Sequence, residues 1–170
     1  MNTLLAANIT CLEQGIQLLQ EMDPLSYARK CPDVFNSSIG GHIRHNLDHY
    51  LAFVEGEPDG RIDYDARKRD SGIETDPLAA VEVMASLVSG LLVMDNADLD
   101  AALQIRMDDG GDSTWSGTTL RRELQFLLSH TIHHYALVVS IATRYGIRSF
   151  PEGFGVAPST IHYHESLRKV

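Results

Sequence analysis

Four separate segments of this chain repeat apolar side chains at spacings of three and four, and that period constrains the fold more than any other feature. The first runs from about Thr3 to Met22, with Leu4, Leu5, Cys11, Leu12, Ile16, Leu19 and Met22 on one stripe. Asp23-Pro24 is expected to end it, because proline cannot continue the backbone ladder. The second runs from Ser38, a suitable N-cap, to Val54, through Ile39, Ile43, Leu47 and Tyr50 or Leu51. Gly56 and Pro58 then stop it. The third opens on Asp76-Pro77, a cap followed by a first-turn proline, and continues to about Met94. The fourth is the longest, from about Thr119 to Tyr145, with Gly146 as a left-handed stop. Each stripe has to be buried against another element. The four together predict an all-α, four-helix bundle in a single domain over residues 1–170.

The remaining stretches read as connections. Residues 57–75 are polar, and the run Ala66-Arg67-Lys68-Arg69-Asp70 reads as a solvated loop or short helix. Between the third and fourth helices, Leu103 to Met107 alternates apolar and polar side chains. Asp108-Asp109-Gly110-Gly111-Asp112 has turn chemistry, and Ser113 to Ser116 reads as a returning strand, so a small hairpin is expected before the last long helix. Pro151, Gly153, Gly155 and Pro158 make the tail an irregular segment laid over the bundle, with a helical turn near Ser159.

Charge and cysteine content exclude several classes. Fourteen basic against 23 acidic residues give a net charge of −9, which argues against nucleic acid or an anionic lipid surface as partner. Cys11 and Cys31 are the only cysteines and form no C-x-x-C. Cys11 lies on an apolar stripe and reads as a small buried residue. The first residues show no basic, apolar secretory pattern, and Val81 to Met94 is too short and too interrupted to span a bilayer. A cytoplasmic protein with no membrane partner is expected.

Histidine is neither a strong helix former nor a usual core residue, yet six of the eight fall in the middle of two predicted helices. His42, His45 and His49 lie on the second helix, and His130, His133 and His134 on the fourth. Residues four apart share a helix face, which pairs His45 with His49 and His130 with His134. Two imidazoles from one helix and a third from a facing helix match a divalent-ion site with open coordination positions. Three imidazoles suit Zn²⁺, Ni²⁺ or Fe²⁺. The segment is not the H-E-x-x-H peptidase motif, because Thr131 stands where the glutamate belongs. His42 and His133 are offset from the pairs and read as bystanders.

Ser38-Ile39-Gly40, then His45, then Asp48-His49 resembles the second-helix signature of the DinB-like proteins, the damage-inducible superfamily with the YfiT-type metalloproteins and the bacillithiol and mycothiol transferases. His130-Thr131-Ile132-His133-His134, followed by Arg144, Gly146 and Pro151, resembles that family's H-x-x-x-H on the last bundle helix. The resemblance implies His45, His130 and His134 as ligands of a divalent ion, Zn²⁺ or Ni²⁺ in many members. It also implies a homodimer and transfer of a low-molecular-weight thiol. Tyr135-Ala136-Leu137 stands where many members carry Arg-Gly-Gln.

A dication would favour deprotonation of a water or thiol bound to it. Asp48 is the nearest carboxylate by sequence to orient a ligand imidazole, and His49 is a candidate general base or supporting donor. Two functions are expected: a metal-dependent enzyme acting on a small-molecule substrate by thiol transfer or hydrolysis, or a non-catalytic metal-binding, stress-related protein. Haem between paired histidines has no support beyond histidine content.

Overall fold

A computed structural model describes residues 2–34, 36–66, 68–108, 110–111 and 114–167. It is mostly helical: α1 (Thr3–Gln20), α2 (Pro24–Ala28), α3 (Ile39–Gly56), α4 (Ser71–Thr75), α5 (Pro77–Val93), α6 (Leu120–Arg144) and α7 (Pro158–Leu167). Three short strands, β1 (Arg61–Asp63), β2 (Ala102–Arg106) and β3 (Ser116–Thr119), complete it. Of the long helices, α1 packs on α5 and α6, and α3 packs on the same two. Their apolar stripes meet in one core that includes Leu19, Ile43, Leu47, Phe53, Leu124 and Val138. Burying each such side chain contributes about 1.5–3 kcal/mol. Among the described residues no helix is long and apolar enough to cross a membrane.

Capping side chains start the long helices where the sequence places them. Ser38 accepts from the Gly41 amide at 2.9 Å, Asp76 from Leu78 at 2.9 Å and Thr119 from Arg122 at 3.3 Å. Gly146 follows α6 with a φ of +85°, the left-handed geometry expected of the stop. Two boundaries differ. The first helix ends at Gln20, not Met22. Asp23-Pro24 stops one helix and also starts another, because the Asp23 side chain caps α2 through the Ser26 amide at 2.9 Å.

The insertion before α6 is larger than a hairpin. β2 and β3 are antiparallel, with Ala102 opposite Thr119 and Ile105 opposite Ser116. β1 adds in parallel on the other side of β2, pairing Ile62 with Ile105, so the chain has a three-stranded sheet beside its helices. The returning strand begins at Ser116, later than expected. Ser113, the turn residues Asp109 and Asp112, and Arg67 of the basic run lie outside the described residues. The tail contributes α7, whose His162, Tyr163 and His164 are exposed.

Two buried polar links fix the helices around the histidines. Tyr50 of α3 donates to Asn8 of α1 at 2.8 Å, and the Asn8 amide donates to the Leu124 carbonyl of α6 at 3.1 Å. Glu123 of α6 is buried and accepts from Tyr64, just after β1, at 2.8 Å and from Thr118 of β3 at 2.6 Å. Buried polar groups satisfied in this way hold one register. They set the rotation of α3 and α6 and seat the sheet against α6.

Backbone contact is closest where α3 meets α4, because a Cβ at Gly40 would collide with the Glu74 carbonyl. Gly40→Ala is expected to cost about 1–3 kcal/mol through forced separation of the two helices. Urea unfolding of the variant against the parent chain measures it.

Candidate metal centre

α3 and α6 face each other over the length that carries the histidines. His45 and His49 come one turn apart on α3, and His130 and His134 one turn apart on α6. The ring centroids of His45 lie 4.7 Å from His49, 5.0 Å from His130 and 4.7 Å from His134. His130 is 4.5 Å from both His49 and His134. Four imidazoles from two helices therefore share one small volume. Phe126 and Tyr64 close its side, with Phe126 5.4 Å from His130 and Tyr64 5.5 Å from His49.

Within this cluster His45, His49 and His130 each offer a ligand atom, and those atoms lie within 4.8 Å of one another. Nitrogens on one tetrahedral ion stand about 3.3 Å apart, a separation that modest side-chain rotation reaches from here. The donor set is all imidazole and fits a borderline divalent ion. His49 is buried, and its Nδ1 donates to the His45 carbonyl at 2.7 Å. That bond places the proton on Nδ1 and leaves the Nε2 lone pair as the ligating one.

His134 is engaged differently. Its Nδ1 lies 3.0 Å from Nδ1 of His42, which is buried on α3. His42 was expected to stand apart from the site and does not. His133 is exposed on the outer side of α6, with its ring 5.2 Å from His134. Asp48, expected to orient a ligand imidazole, is buried and accepts from Arg44 at 3.1 Å. Arg44 also reaches Glu74 of α4 at 2.9 Å, so this carboxylate is part of an α3–α4 tie.

Burial disfavours the charged form of His134 and His42. Removal from water pushes the His134 pKa down to about 3, helped by His130, His45, His42 and His133. Burial and the neighbouring His133 lower that of His42. Neutral imidazoles are the form that binds a metal ion. Burial likewise raises the Cys11 thiol to about 11, in keeping with an inert core residue.

A helical protein with a small sheet and an imidazole cluster between two facing helices is the class that fold and site define together. Its fold is similar to that of a DinB-like protein from Bacillus subtilis, known from a crystal structure at 2.30 Å resolution. The TM-score is 0.65 over 90% of this chain and 98% of that one, at 18% identity, so the likeness is one of fold. No family model matches the chain. FK506-binding protein 5 of the fungus Rhizopus delemar is 32% identical over 105 residues, 60% of this chain. The match spans 27% of that protein's length.

The low His134 pKa has a direction that can be tested. The unfolded chain binds a proton near the ordinary value of 6.5, whereas the folded chain resists it down to about 3. The unfolded state therefore holds more protons across that window, and stability of the metal-free protein falls as pH falls from about 6.5 towards 3. Urea unfolding in the presence of a chelator should show this slope, and His134→Gln should flatten it.

Proposed function

We propose that this protein is a DinB-type four-helix-bundle metalloprotein that holds one divalent ion, Zn²⁺ or Ni²⁺, between α3 and α6. The observation that carries the reading is the approach of the His45, His49 and His130 ligand atoms to within 4.8 Å across two helices. His45 and His130 are ligands in every version of the site, and His49 or His134 supplies the third nitrogen. An ion with an open position acts as a Lewis acid and lowers the pKa of a small molecule that binds it.

The chain's own residues do the rest. The His45 carbonyl holds the His49 ring in one tautomer. Phe126 and Tyr64 keep water from one side of the rings. A cleft of about 220 Å³, with room for a small substrate, opens beside Asp48, Ala52 and Glu55 of α3 and Asp63 of β1. Thiol transfer or hydrolysis of such a substrate is the activity this supports, in a cytoplasmic homodimer.

One feature favours a second reading. Four imidazoles, not three, gather here, with His45 and His130 each within 5.0 Å of the other three, and four ligands on a tetrahedral ion close it to substrate. The ion is then structural or sensory and the protein is not an enzyme.

Elemental analysis of the purified chain is expected to find about one divalent ion per molecule. His45→Ala and His130→Ala should each abolish it, and His133→Ala should retain it. Full occupancy in either of the first two variants contradicts the site. To separate the two readings, a low-molecular-weight thiol is added to the Co²⁺-substituted protein. A shifted visible spectrum supports an open, reactive ion, and an unchanged one supports a closed site.

A further inference from the structure

The His42–His134 contact is not explained by packing alone. Two neutral imidazoles whose Nδ1 atoms stand 3.0 Å apart share one proton, so one Nδ1 donates and the other accepts. Two arrangements exist. If His42 donates, His134 carries its own proton on Nε2 and has no lone pair left for an ion. If His134 donates, its Nε2 keeps a lone pair and His42 carries its proton on Nε2.

The surroundings of His42 are compatible with the second arrangement, and ligation of an ion by His134 requires it. His42 Nε2 is buried and makes no hydrogen bond among the described residues. Asn46, one turn further on the same face of α3, is buried with its amide oxygen and nitrogen likewise unbonded among the described residues. Buried polar atoms without partners are rare and call for a cause. An Nε2–H on His42 and the Asn46 oxygen are complementary through a bridging water.

We propose that His42 is a positioning residue of the metal centre: its Nδ1 accepts the Nδ1 proton of His134 and holds His134 with its Nε2 lone pair available to the ion shared with His45 and His130. The inference rests on the form of the metal reading in which His134 supplies a nitrogen to the ion held by His45 and His130. A carboxylate or a backbone carbonyl commonly performs this task for a ligating histidine. On α3 the His45 carbonyl does it for His49, and His42 does it across the interface for His134. A neutral imidazole in that place adds no negative charge, so the ion keeps more of its own.

The test uses the full chain, metal-free and with Zn²⁺. Nitrogen-15 spectra of labelled histidines read the tautomers in the metal-free protein, where His134 is expected to be protonated on Nδ1 and His42 on Nε2. In a competition titration, His42→Leu is expected to weaken Zn²⁺ binding about 10–100-fold. His42→Asn keeps an acceptor near the Nδ1 position and should stay within about threefold of the parent chain. Circular dichroism confirms that both variants fold. His134 protonated on Nε2, equal Zn²⁺ affinity in His42→Leu and the parent, or His42→Asn as weak as His42→Leu would each overturn the proposal. A parent chain that binds no Zn²⁺ instead overturns the metal reading beneath it.

Discussion

The packing of α3 against α6 is the interaction on which the rest of the site depends. It brings imidazoles from two helices into contact inside a largely apolar interface. Polar rings removed from water in this way cost free energy unless hydrogen bonds or a ligand compensate. Part of the compensation is visible in the His49 and His42–His134 hydrogen bonds. A bound dication would supply the remainder, and it would add a link between two helices already joined by apolar contact, by the His42–His134 and Thr131–Tyr50 hydrogen bonds, and through Asn8, which bridges Tyr50 to the Leu124 carbonyl.

The helical layout could be read from sequence because its signals are local. Ser38, Asp76 and Thr119 cap where a short polar side chain precedes an apolar stripe, and Gly146 stops α6 by its backbone freedom. β1 could not be read. Arg61-Ile62-Asp63 is too short to show an alternation, and its partner β2 lies about forty residues on, so only tertiary pairing defines it. Asp23-Pro24 shows a related difficulty, since the same dipeptide ends one helix and begins the next.

The site was legible to the level of which helices and which faces. Spacing alone pairs His45 with His49 and His130 with His134. It cannot say how far α3 and α6 are rotated about their own axes, and that rotation decides which third imidazole approaches the shared pair. It places His49 with His45 and His130, and His134 against His42. Spacing reads His42 as offset for the same reason, because its contact lies across the interface and not along its own helix. Asp48, one residue before His49, pairs with Arg44 one turn earlier on α3, and only the placement of α4 reveals that Arg44 also binds Glu74.

X-ray absorption at the edge of the bound metal tests the central claim most directly. A divalent ion between α3 and α6 predicts three or four nitrogen neighbours at about 2.0–2.1 Å, with the outer-shell scattering of imidazole rings. A shell of oxygens without imidazole scattering would contradict a histidine-held ion in this protein.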